Sequence, residues 1–261
     1  MGLWLAAMLI LGLDAPAQSP VPETKMWRLD CGEFDIDNLE ERGRVVAPVS
    51  CYLIRRGDDL ILFDAGLDAS LHGRPKRQEG QTLRLDRTLA EQLAQIGVDP
   101  AKVATLVVSH YHHDHLGQAA LFPNARLLIG TGDAAKLRAD SDRGALAPWL
   151  DGKRPVTEVD ADRDLYGDGR VVVLFTPGHT PGHLSMLVKL ERTSYILTGD
   201  LVHLRPQLAA REPSGNHVDQ VRGKAEIERI AAVADKIGAT IIVGHEQQDI
   251  GLLPAFPAAA E

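Results

Sequence analysis

Four short apolar runs in this chain each end on a residue able to bind a metal ion, and that repetition restricts the available folds more than any other feature. The runs are residues 105–110 (TLVVSH), 175–179 (FTPGH), 195–200 (YILTGD) and 241–245 (IIVGH), closing on His110, His179, Asp200 and His245. Short runs of β-branched and large apolar residues read as buried strands. Loops at the ends of such strands can bring distant side chains to one cleft on a rigid support. In three of the four a glycine (Gly178, Gly199 or Gly244) immediately precedes the ligand, which suits a tight bend into a site.

Further strand candidates are residues 49–54, 60–63, 126–129 and 171–175. Helical spacing appears in Leu85, Leu89, Leu93 and Ile96 before Gly97, and in Ile227, Ile230, Val233 and Ile237 before Gly238. Each helix leads into a strand, so the expected class is α/β, with sheets covered by helices. Periodicity alone leaves open a sandwich with two layers of each type or a doubly wound sheet. No Ser/Gly linker, charge block or low-complexity segment divides the chain, and one domain over residues 25–258 is expected.

Residues 1–13 form an apolar run too short to span a bilayer, followed by Ala15, Pro16 and Ala17 at cleavage spacing. A signal peptide over residues 1–17 is expected, although no Lys or Arg precedes its apolar run. The expected location is then secreted or periplasmic, with no stable membrane insertion of the mature chain. Cys31 and Cys51 are the only cysteines. An exported chain could oxidise them to a disulfide if their backbones lie close enough, but Cys51 lies in an apolar strand candidate, where cysteine behaves as a small hydrophobe, so two buried free thiols are the favoured expectation.

The densest segment is residues 109–117 (SHYHHDHLG). The alternate residues His110 and His112 can serve one ion, while Asp114 and His115 turn towards a second. Imidazoles with one carboxylate suit zinc, with cobalt, manganese or iron as possible substitutes. The formal charge of −8 disfavours nucleic acid, whose binding needs a basic surface.

The order His110-x-His112-x-Asp114-His115, Gly178-His179, Gly199-Asp200, Gly244-His245 resembles the signature of the metallo-β-lactamase superfamily. The resemblance implies an αββα sandwich with two metals at one edge of its sheets. It also implies that His110, His112 and His179 hold the first ion and Asp114, His115 and His245 the second, with Asp200 bridging them. Asp64, in Asp64-Ala65-Gly66, is implied to support the site from behind. The β-lactamases of this fold that bind two zincs commonly have Cys at the bridging position, so Asp200 argues against antibiotic hydrolysis.

Within that superfamily, residues 28–32 (RLDCG), 49–54 (VSCYLI) and 63–66 (FDAG) are similar in order and spacing to the N-acyl homoserine lactonases. The implied activity is opening of the lactone ring of quorum-sensing signals, with a small acyl lactone as substrate; a homodimer is compatible with this likeness. Two zinc ions would bring a bridging water towards hydroxide at neutral pH, for attack on the carbonyl. Asp114 is the candidate proton shuttle. His203 stands three residues after Asp200, where the best-known lactonases carry Tyr, and is expected to face the substrate.

Thioester, phosphotriester or sulfate ester hydrolysis is the rival reading, and a metal-binding protein without activity is a third. The presence of all seven ligand residues argues against the last. An acyl-chain groove is expected around Trp149 and residues 145–150. His183 is placed outside the metal set, His113 outside or behind it, and His72 and His217 in solvated loops.

Overall fold

The computed structural model describes residues 22–37, 43–140 and 143–261, so the expected signal peptide lies outside the described residues. The strand candidates are apolar on consecutive positions, and both of their faces are buried. Leu60 and Leu62 point to one apolar cluster, Ile61 and Phe63 to another, and Leu127 and Leu128 split in the same way. Period-two alternation between two buried faces is why such strands read as continuous hydrophobic runs.

The first sheet has eight strands in the order β4-β5-β1-β2-β3-β6-β7-β8. They are β1 (Thr24–Ile36), β2 (Val45–Arg56), β3 (Asp59–Phe63), β4 (Lys76–Gln78), β5 (Gln81–Arg84), β6 (Thr105–Val107), β7 (Arg126–Gly130) and β8 (Val156–Val159). The second sheet runs β13-β12-β11-β10-β9. Its strands are β9 (Arg163–Asp164), β10 (Val171–Phe175), β11 (Leu184–Lys189), β12 (Ser194–Leu197) and β13 (Thr240–Ile242).

Ile54, Phe63 and Val107 of the first sheet and Val173, Met186 and Leu197 of the second share one cluster, so the sheets pack face to face. The outer face of the first sheet is covered by α1 (Leu89–Gln95), α3 (Thr131–Ala139) and α4 (Ala147–Leu150) through Leu89, Leu93, Ala134, Leu137 and Leu150. The outer face of the second is covered by α5 (Arg205–Ala210) and α6 (Gln220–Ile237) through Leu208, Ile227, Ile230 and Ala234. This is the αββα sandwich. Its core depends on tight filling: Leu62→Ala, at a fully buried position, would cost about 2–5 kcal/mol.

Three expectations need correction. Cys31 and Cys51 are buried as expected but form a disulfide across β1 and β2, with Cα atoms 5.8 Å apart. The ladder pairs Leu29 with Cys51, and an irregularity between Asp30 and Glu33 carries Cys31 alongside. That register is invisible in a linear sequence. Trp149 forms no groove at the site: it is 1% exposed, projects from α4 into the apolar cluster against the first sheet, and donates its indole N–H to the carbonyl of Ala125 at 2.8 Å. Burial of so large an apolar surface outweighs anything a rim position could offer. Finally, the first helix starts at Leu89 rather than Leu85, because Thr88 caps it in a reciprocal box with Glu91. Leu85 bridges to His72 instead. Among the described residues, no helix is long and apolar enough to cross a membrane.

Candidate metal centre

The chain leaves β6 and bends through Ser109 to His112, then makes the single helical turn α2 (His113–Leu116), for which His112 is the N-terminal cap residue. The turn places Asp114 and His115 on its buried side and leaves His113 exposed. His179 follows β10, Asp200 follows β12 and His245 follows β13. All seven predicted ligands meet at one edge of the sandwich.

They fall into two sets. His110, His112, His179 and Asp200 form one, and Asp114, His115, His245 and Asp200 the other, with the ligand atoms within each set lying inside 4.8 Å of one another. Asp200 belongs to both through different oxygens. Its Oδ2 lies 3.7 Å from His110 Nε2 and 3.5 Å from His179 Nε2. Its Oδ1 lies 3.3 Å from His115 Nε2 and 3.1 Å from His245 Nε2. His112 Nδ1 completes the first set, 2.9 Å from His110 Nε2 and 3.1 Å from His179 Nε2.

The donor chemistry fits metal ions. A tetrahedron with arms of zinc–imidazole length has edges of about 3.3 Å, close to these separations. Among the described residues, His115 Nε2 and Asp200 Oδ1 are buried with no hydrogen-bond partner. Asp114 and Asp200 pair only with imidazoles, and among the described residues no Lys or Arg neutralises them. Burial lowers the pKa of His110 and His112, and brings His179 down to about 2, so these rings are held neutral, the form in which an imidazole can bind a metal ion. For Asp114 and Asp200 burial opposes the charge. The surrounding imidazoles outweigh it and hold both carboxyls well below the usual range. Burial likewise disfavours charge on His115 and His245, yet the carboxylates raise both. The site calls for positive charge.

Supporting contacts fix the ligands. Asp64 adopts a left-handed conformation (φ 63°), uncommon for a residue with a side chain. Its Oδ1 accepts the N–H of Ser109 at 2.7 Å and its Oδ2 lies 2.8 Å from His115 Nδ1, the supporting role expected for it. A side chain at Gly66 (φ 66°) would collide with Cys31, its Cβ 2.5 Å from that of Cys31. His245 Nδ1 bonds the Pro48 carbonyl at 3.0 Å.

Asp133, not singled out from sequence, is fully buried and ties two ligand loops together. It accepts from the N–H groups of Tyr111 (3.2 Å) and Gly182 (2.7 Å) and the hydroxyl of Thr180 (2.8 Å). Burial pushes its pKa up to about 6 against these donors. Its only sequence signal is an acidic residue in the first turn of a short helix, which is an ordinary feature.

The remaining histidines divide. His72 is exposed, as expected. His217 is not: it is 6% exposed, with its ring centroid 5.2 Å from that of His179 and 6.2 Å from that of His203. Its polar neighbours in sequence concealed that α6 folds back over it, where Gly223 leaves no room for a side chain against the ring. His203 faces the site, with Nε2 3.1 Å from Asp200 Oδ2 and its ring stacked on His245 at 5.6 Å. His183 is fully buried behind Asp200 and outside both ligand sets.

The centre opens into a pocket of about 420 Å³ whose lining combines the apolar Phe34, Ile36, Ala47 and Leu204 with the polar Gln81, Ser214 and Asn216. A family model for the metallo-β-lactamase superfamily matches residues 44–245. The chain belongs to the metallo-β-lactamase superfamily. Relatives in this superfamily include the N-acyl homoserine lactonase AttM of Azorhizobium caulinodans, 28% identical over 219 residues, covering 76% of this chain and 82% of the relative. An N-acyl homoserine lactonase of Bacillus cereus is 27% identical over 226 residues, covering 80% and 86%. The crystal structure of a quorum-quenching N-acyl homoserine lactone hydrolase shares the fold, with a TM-score of 0.78 at 21% identity, covering 92% of this chain and 99% of that one. This metallo-β-lactamase fold thus agrees with the sandwich built from the residues.

Proposed function

We propose that this chain is a zinc-dependent hydrolase that opens the lactone ring of N-acyl homoserine lactones and so quenches quorum signals. The observation that carries the reading is Asp200, whose two oxygens each face a separate donor set beside a pocket lined by both apolar and polar side chains. The names of the similar proteins support the choice of substrate.

His110, His112 and His179 would hold one ion and Asp114, His115 and His245 the other, with Asp200 shared. When bound, the two ions supply Lewis-acid polarisation of the lactone carbonyl and a water nucleophile at neutral pH. The protein supplies placement and proton handling. Gln207 Oε1 accepts the N–H groups of His203 and Leu204, each at 3.0 Å, and so pins the backbone from which His203 projects. His203 Nε2 is placed to donate to the oxyanion that forms at the carbonyl. Asp114, ionised and 5% exposed beside His115 and His245, would take the proton released by the attacking water and pass it to the leaving alkoxide.

Phe34, Ile36, Ala47 and Leu204 take the acyl chain, replacing the groove expected at Trp149. Gln81, Ser214 and Asn216 are the polar groups available to the amide. Export to an oxidising compartment belongs to the same proposal and is supported by the Cys31–Cys51 disulfide. A thiol assay on the protein recovered from its native compartment checks it, and free thiols there would refute it.

The deciding experiment is hydrolysis of N-acyl homoserine lactones of several chain lengths by zinc-loaded protein, followed by proton release. The expected result is metal-dependent ring opening that is lost after chelation and in His110→Ala. Two bound zincs with no lactone turnover would overturn the substrate and leave the fold and site standing.

A further inference from the structure

A buried hydrogen-bond relay runs from Asp200 into the core, and its direction follows from chemistry alone. The backbone N–H of Asp200 donates to His183 Nε2 at 3.1 Å, so that nitrogen carries no proton. The neutral ring therefore keeps its proton on Nδ1, which donates to Thr176 Oγ1 at 3.0 Å. The Thr176 hydroxyl is then free to donate to Ser185 Oγ at 2.8 Å, and Ser185 donates to the carbonyl of Thr198 at 2.9 Å. A carbonyl can only accept, so the far end imposes the same direction as the near end. His183, Thr176, Ser185 and Thr198 are all fully buried.

The intervening backbone is equally constrained. Gly199 has φ 52°, and a Cβ there would stand 2.9 Å from His183 Nε2 and 3.1 Å from Ser109 Cβ. The chain can therefore pass between His183 and Ser109 only as glycine, and it emerges with Asp200 facing both donor sets.

We propose that His183 is a positioning residue for the shared ligand: held as its Nδ1–H tautomer by Thr176 and Ser185, it fixes the Asp200 backbone so that each carboxylate oxygen meets its own donor set. This rests on the reading of Asp200 as the ligand common to two ions. It carries a specific consequence. Loss of His183 weakens both metal-binding steps, whereas loss of a ligand belonging to one set weakens one.

Calorimetric titration of the metal-free full chain with Zn2+ tests this without reference to turnover. His183→Leu, with folding verified by circular dichroism, is expected to weaken both steps by about 10- to 100-fold, the range for supporting contacts at metal sites. His183→Gln, which can place an acceptor near the Nε2 position, recovers most of that loss. The near-isosteric Thr176→Val, which removes the acceptor that sets the tautomer, produces a smaller loss in both steps and decides the matter should His183→Leu not fold. His245→Ala is the one-set control. Unchanged affinities in folded His183→Leu, or in Thr176→Val, overturn the proposal, as do equal losses for Leu and Gln, which would mark His183 as packing alone. A wild-type chain that binds fewer than two zincs brings down the shared-ligand reading itself and this inference with it.

Discussion

The two sheets contribute to the centre in different ways. The first supplies His110, His112, Asp114 and His115 from one continuous loop after β6, locked from behind by Asp64 and Ser109. The second supplies His179, Asp200 and His245 from three separate strand ends, with Asp200 anchored through His183 into the core. The first arm is a local device whose geometry follows from a bend and one helical turn. The second depends on the register of β10, β11, β12 and β13, so its precision is a property of the sheet. Asp200 joins the two arms within the centre, and Asp133 joins their loops outside it.

The comparison can be broken most directly at Asp200. Asp200→Ala removes a donor from both sets, and loss of metal assistance worth several kcal/mol should lower kcat/KM by about a thousandfold. Lactone kinetics with zinc content by elemental analysis checks this, and near-normal turnover would show that the arms work without a shared ligand. His112→Ala and His245→Ala separate the sets: each is expected to leave one zinc per chain, read by the same analysis.

Smaller changes sharpen the contrast in support. Disrupting the Cys31–Cys51 disulfide, which closes a short loop beneath the first arm, should cost about 3 kcal/mol of stability, seen as a lower thermal midpoint in reducing buffer. Asp64→Asn leaves His115 Nδ1 without its carboxylate and should weaken one zinc-binding step by about 10- to 100-fold. A loss in both steps would show that the first arm is less autonomous than its contacts indicate. Asp133→Asn presents an amide to three donors and should cost about 1–3 kcal/mol by leaving a buried group unpaired, measured by urea unfolding. The ligand sets themselves should remain.

The histidine tract, the strand-end ligands and the sheet-and-helix class were legible in the sequence because each is a local pattern: apolar runs, helical periodicity, and ligand residues at fixed offsets from strand ends. β1 and β11 were not singled out. β1 alternates buried and half-exposed residues with several charges, and β11 directly follows the glycine- and proline-rich loop after His179. What the sequence could not display was pairing across distance. The Cys31–Cys51 bridge, the burial of His217 under α6, the burial of Trp149, and the grip of Asp133 and His183 on the ligand loops all arise when segments far apart are brought within hydrogen-bond or van der Waals range. By itself the sequence determined which residues could bind metal and on what kind of scaffold. Only the tertiary structure decided what holds Asp200 and its neighbours in place, because sheet register and helix packing are set by the burial of whole faces rather than by neighbouring residues.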